Sequence, residues 1–309
     1  MSNSSDSPKY DYDIVWQQDH ADVKGYSGVA ADSHGNIYAC GVAPDEEHGV
    51  VVKYSPDGDL KWTDMALPKP LDIETYRSIA GSSDSLTVGL PQEERYGAFL
   101  DIIVDPDDNV IVAGSFCRTE PLRIYIMVTK YRPDGTVVWS KEYTRRVLNH
   151  AMGVTVDGSS DIYLVGQGGI GTTLLQPTKI TLKALVMKVS GSTGTVLWTR
   201  TRKKGQYMWY HDAAIDSDGT LVVSGYYLDG GNIRPIISAF RGRLGLWTRY
   251  LVPPGRDKKA AGIARHPDGS FHVVGSTEAA QIADITPRVM RVSANLDIIC
   301  EHDGDTNAF

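Results

Sequence analysis

One block of sequence recurs five times along this 309-residue chain, and that repetition constrains the fold more than any other feature. The block is a short apolar run closed by Asp, a tight turn, and a second run ending in Gly. It reads Gly28 to Asp32 with Asn36 to Gly41, then Asp101 to Asp105 with Asn109 to Gly114. It returns as Gly153 to Asp157 with Asp161 to Gly166, and as Asp212 to Asp216 with Thr220 to Gly225. The fifth copy is Gly262 to His266 with Ser270 to Gly275. A second block follows each first: Val50 to Tyr54 leading to Trp62, Val128 to Tyr131 leading to Trp139, Val186 to Val189 leading to Trp198, and Ile237 to Phe240 leading to Trp247. The fifth, Val289 to Val292, runs on to Leu296 and Cys300 and has no tryptophan.

β-Branched residues, alternation of period two and Asp-Gly turns mark strands. No long stretch has helical periodicity. Each unit therefore reads as strand A, tight turn, strand B, loop, strand C, tight turn, strand D. Such a sheet cannot bury both faces alone, whereas repetition about an axis packs each sheet on its neighbours. The expected fold is all-β: a five-bladed β-propeller of four-stranded antiparallel blades, one domain over residues 1–309. The four tryptophans are expected as wedges between blades. Asp32, Asp105, Asp157 and Asp216 are expected to cap their A–B turns through side-chain to backbone hydrogen bonds.

Asp32-Ser-His-Gly-Asn-Ile-Tyr-Ala-Cys-Gly41 and the stretch from Val51-Val-Lys53 to Trp62 resemble the bacterial β-propeller repeat family. The resemblance runs from about residue 26 onwards and implies the fold; it carries no catalytic residue. The tryptophan-bearing half also looks like the docking motif of quinoprotein-type propellers, but their calcium and quinone ligands have no counterpart here. Residues 12–18, Tyr-Asp-Ile-Val-Trp-Gln-Gln, look like one more D strand with Trp16 in the wedge position. Since blade five lacks that tryptophan, the N-terminal strand is expected to pack on or into blade five and close the ring. A six-bladed ring with a partial blade is the alternative.

A net charge of −7 disfavours nucleic acid or an anionic membrane as partner. No segment has the apolar length of a membrane span, and the polar start lacks the core of a secretion signal. Residues 1–10 read as a disordered leader on a cytoplasmic monomer. Cys40, Cys117 and Cys300 form no C-x-x-C pair and read as free thiols. No zinc signature, calcium loop, phosphate loop or nucleophile elbow is present. Neither a metal nor a cofactor is expected.

The insertions carry the functional signal. The longest, residues 66–97, joins strand D of blade one to strand A of blade two. The others, about 168–182 and 276–286, are B–C loops of blades three and five. All three belong to one face and suggest a shaped mouth over a central funnel. The starts of strand A give two columns: Tyr26, Phe99, Ala151, Tyr210, Ala260, and Gly28, Asp101, Gly153, Asp212, Gly262. Asp101 and Asp212 stand where the other copies have glycine. His150, His211 and these two aspartates are the candidate acid–base residues. Tyr26, Phe99, Arg118, Gln167, Trp209, Tyr210, Tyr226 and Tyr227 are the candidate substrate contacts. The two aspartates are also readable as backbone hydrogen-bond acceptors between blades.

The leading expectation is a small, largely apolar organic molecule in the funnel, with a cofactor-free cyclisation, isomerisation or elimination of specialised metabolism. A non-catalytic protein- or glycan-binding module is the second reading. A redox propeller with an unusual cofactor site is the third.

Overall fold

The structure, a computed structural model, describes residues 14–45, 48–66, 97–119, 122–143, 148–170, 181–242, 244–250, 257–278 and 286–303. The leader and nearly all of the 66–97 insertion lie outside these residues, as do most of the loops at 168–182 and 276–286.

Among the described residues twenty strands form five blades. Blade one holds β1 (Gly25–Ala31), β2 (Ile37–Val42), β3 (Gly49–Tyr54) and β4 (Leu60–Ala66). Blade two holds β5 (Ala98–Val104), β6 (Val110–Thr119), β7 (Leu122–Tyr131) and β8 (Val137–Tyr143). Blade three holds β9 (Leu148–Val156), β10 (Ile162–Ile170), β11 (Thr181–Val189) and β12 (Val196–Arg202). Blade four holds β13 (Tyr207–Ile215), β14 (Thr220–Asp229), β15 (Asn232–Arg241) and β16 (Leu244–Tyr250). Blade five holds β17 (Asp257–Arg265), β18 (Phe271–Glu278), β19 (Thr286–Val292) and β20 (Ile298–Asp303). Every blade is an antiparallel A-B-C-D meander. One parallel bridge, Ile124 to Leu148, joins blades two and three into a single ladder.

Strand A bulges at the same place in each blade, as between Phe99 and Asp101 or Tyr210 and Asp212. The bulge pushes a carbonyl towards strand B, and the closing glycine of the repeat answers it. A Cβ on Gly114 would lie 1.9 Å from the Ala98 carbonyl oxygen, so no larger residue fits there. The turn aspartates cap as expected. Asp32 Oδ1 accepts the amides of His34 and Asn36, Asp105 those of Asp107 and Asn109, Asp157 those of Ser159 and Asp161, and Asp216 those of Asp218 and Thr220.

The tryptophans are wedges. Trp62 lies over Gly135 of the next blade and donates its indole N–H to the Pro133 carbonyl at 3.1 Å. Trp139 lies over Gly194 and donates to the Gly191 carbonyl at 3.1 Å. Lys53 and Lys130 donate to the same two carbonyls, so one turn of the following blade receives both. The side chain of Trp247 lies outside the described residues.

Between blades the core forms in repeating clusters. Val154 of blade three packs with Ala113 and Val128 of blade two. Ile102 packs with Cys40 and Val51, Ala213 with Val165 and Val186, and Ile263 with Ile237. The junction of blade five with blade one departs from this rule. Val29, the counterpart of Ile102 and Val154, is 70% exposed; Val274 and Val289, the counterparts of Cys40 and Val51, are 46% and 45% exposed. Matched apolar faces are thus uncovered on both sides of this junction, and no ladder joins the two blades among the described residues.

Candidate functional site

An open chamber of about 850 Å³ lies on the propeller axis. It is lined by residues 103–106, 155–159 and 213–219 together with Ile263 and Arg265, hence by blades two to five. These are the ends of the A strands and the A–B turns. The chamber therefore opens on the face opposite the one to which the long insertions belong. Its floor is apolar, with Ile103, Ala213, Ala214 and Ile263. Its rim carries Asp105, Asp157, Asp216, Asp218, Ser159, Ser217 and Arg265. The volume is that of a small-molecule site, and the lining is more polar than the sequence suggested.

The expected site residues do not gather in one place. Asp101 and Asp212 are not among the residues that line the chamber; they precede its lining residues Ile103 and Ala213 on strands β5 and β13. Each ties one A strand to the next. Asp101 Oδ2 accepts the Val154 amide at 2.7 Å, and Oδ1 accepts the Ile102 amide at 2.9 Å. Asp212 Oδ2 accepts the Ile263 amide at 2.8 Å, and Oδ1 accepts the Ala213 amide at 2.7 Å. Burial pushes the Asp101 carboxyl up to about 7, with the negative charge of Asp212 adding to the rise and the two amides opposing it. Burial raises Asp212 as well, against its two amide bonds.

A second group sits on the face of blade four turned to blade five. Trp209 packs on Tyr226 with centroids 5.0 Å apart, His211 stacks on Tyr226 at 5.2 Å, and Tyr207 joins Trp209 at 5.7 Å. A third lies between blades three and four, where His150 and Gln167 are cross-strand partners. Both are fully buried. Burial drives the His150 imidazole down to about 4, so it is neutral at ordinary pH. The amide of Gln167 has no hydrogen-bond partner among the described residues.

Phe99 and Tyr210 are buried in the clusters between blades. The Tyr210 hydroxyl meets Ser238 Oγ at 3.1 Å. Tyr227 is buried beneath the Lys204 ammonium, 4.8 Å from its ring centroid. Tyr26 is half-exposed and hydrogen-bonds Tyr54. Arg118 has its backbone in β6 and its side chain outside the described residues. No group of three or more His, Cys, Asp or Glu able to hold a metal occurs among the described residues.

Sequence reasoning passed over Arg265 and Asp216 as site residues. The repeat contained the signal. Arg265 is the fifth member of a column that otherwise reads Ala31, Val104, Val156, Ile215.

No family model and no curated protein matches the chain. Solved structures do. A hydrazine synthase of Kuenenia stuttgartiensis superposes with a TM-score of 0.55 at 12% identity, over 91% of this chain and 66% of that one. A polysaccharide lyase of the PL25 ulvan lyase family, bound to a GlcA-Rha3S saccharide, superposes with a TM-score of 0.56 at 11% identity, over 90% and 70%. A protein of unknown function from Dyadobacter fermentans gives 0.55 at 12%, over 91% and 83%. The chain thus spans about two thirds of the first two. At these identities the likeness establishes the β-propeller fold and nothing finer. No helix among the described residues is long and apolar enough to cross a membrane.

Proposed function

We propose that this propeller binds a small organic molecule in the axial chamber, with Asp101 and Asp212 as the acid–base pair. The observation that carries the reading is the chamber itself, with an apolar floor and a polar rim, together with two carboxyls that bridge the A strands which line it. A carboxyl whose proton leaves near neutrality suits proton transfer in an isomerisation or elimination that needs no cofactor. The PL25 structure, bound to a uronate-containing saccharide, makes sugar acids a sensible first class to screen.

The test separates binding from chemistry. Ser159 and Ser217 lie on exposed turns at the chamber mouth. Ser159→Trp and Ser217→Trp are expected to abolish saturable ligand-induced thermal shifts while leaving the fold intact. Unchanged ligand binding in both variants would sink the axial reading. With a turned-over ligand in hand, Asp101→Asn and Asp212→Asn are expected to remove turnover and keep binding. A ligand that binds and is never transformed leaves the second reading, a non-catalytic binding module.

A further inference from the structure

We propose that the chamber recognises a small molecule carrying both a carboxylate and a hydrogen-bond-donating hydroxyl or ammonium group, with Arg265 on the carboxylate and Asp216 on the donor. This rests on the small-molecule reading above and adds the ligand class.

The case begins with the turn aspartates. In blades one to three the outer oxygen of each is held by its own blade. Asp32 Oδ2 accepts from Asn36 Nδ2 and the Tyr38 hydroxyl. Asp105 Oδ2 pairs with Lys130 at 2.7 Å, and Asp157 Oδ2 with Lys188 at 2.9 Å. Blade four changes all three partner positions. Thr220 stands in the column of Asn36, Val222 in that of Tyr38, and Ala239 in that of Lys53, Lys130 and Lys188. Asp216 keeps both turn amides on Oδ1, while Oδ2 has no partner among the described residues. The turn needs only Oδ1, so the freed oxygen is surplus to folding.

Blade five changes the same region in the opposite sense. An arginine replaces the apolar residue at the end of strand A. Arg265 lines the chamber and makes no ion pair or hydrogen bond among the described residues. Its neighbour Arg291 is different, being paired with Asp268. No ion pair joins Arg265 to Asp216, so each charge remains available across the chamber. A fork of N–H donors matches a carboxylate, and a lone carboxylate oxygen matches a hydroxyl or ammonium. The hydroxyls of Ser159, Ser217 and Thr155 border the same space.

The experiment pairs hydroxy acids with neutral twins: quinate against myo-inositol, and tartrate against erythritol. Binding is measured by calorimetry and by ligand-observed NMR. The acids are expected to bind at least about tenfold tighter than their twins, and Arg265→Gln to erase that difference. Asp216→Asn, which retains the Oδ1 acceptor, is expected to weaken the acids several-fold. Ala239→Lys, which supplies the missing strand-C cation, is expected to do the same. Equal binding of acids and twins overturns the inference, as does indifference to Arg265→Gln. Other molecules that bind and are blocked by Ser159→Trp but ignore Arg265→Gln overturn the ligand class alone. Absence of any ligand sensitive to the mouth tryptophans overturns the axial reading with it.

Discussion

Trp16 donates its indole N–H to the Pro56 carbonyl at 2.9 Å, with its ring over Gly58. Trp62 makes the same contact with Pro133 and Gly135 one blade later. The N-terminal segment therefore seats a wedge on blade one, where the D strand of a preceding blade would seat its own. In blade five that position is Cys300, the partner of Arg291 in the C–D ladder. The one blade without a wedge is the one that precedes blade one around a ring.

Removing this wedge has a defined cost. Trp16→Ala strips the indole from Gly58 and from the Tyr54 ring, whose centroid lies 5.7 Å away. Because Trp16 is partly exposed, the loss should fall below the ~3–5 kcal/mol of a fully buried aromatic deletion, at about 1–3 kcal/mol. Urea denaturation measures it. A midpoint equal to wild type would show that the segment contributes nothing to the ring.

The uncovered faces at the junction make a second expectation. Val29 and Val274 stand in the two columns that meet in every other junction, as Ile102 meets Cys40. On a Cys300→Ser background, Val29→Cys with Val274→Cys is expected to form a disulfide within one chain under mild oxidation. Intact mass and non-reducing gels report it. Covalent dimers would instead place blade five of one copy on blade one of another. Absence of any cross-link would mean that the faces never meet.

Lys130 offers the sharpest stability test. Its ammonium pairs with the buried Asp105 at 2.7 Å and donates to the Gly191 carbonyl of blade three at 3.1 Å. Lys130→Met leaves the buried Asp105 carboxylate without a cation, so a loss of about 3–5 kcal/mol is expected. The more exposed Lys188→Met should cost less. Equal losses in urea melts would show that burial does not set the value of these pairs.

The blades, their order, the capping aspartates and the tryptophan wedges were legible in the sequence, because each is a periodic demand of packing on neighbours. The face bearing the chamber was not. Loop length drew attention to one end of the axis, whereas the chamber at the other end is made of A-strand ends that look ordinary one at a time. Asp101 and Asp212 stood out as departures from glycine and were readable as backbone acceptors between blades; the structure names the amides they take as those of Val154 and Ile263. Asp216 hid for the opposite reason. It matches its column, and what changed is the set of residues that should have held it.

Two buried groups should give stability opposing slopes over one pH range. Asp101 titrates at about 7 in the fold against an ordinary value of 3.8, so the folded chain holds the extra proton between these values. Its contribution is fully present below 3.8 and is lost as pH rises through about 7. His150 titrates at about 4 against an ordinary value of 6.5, so there the unfolded chain holds the extra proton. Its contribution is present above 6.5 and is lost as pH falls through about 4. Between about 4 and 6.5 the two act in opposite directions, each on the order of a few kcal/mol in full. Asp101→Asn keeps an oxygen for one backbone amide and removes the proton uptake. Its unfolding free energy should therefore rise with pH across this window more steeply than that of wild type. His150→Gln should do the reverse and fall more steeply. Urea melts at pH 4.5, 5.5 and 6.5, roughly spanning the window, measure both slopes. Parallel profiles for wild type and both variants would show that neither group changes its proton affinity on folding.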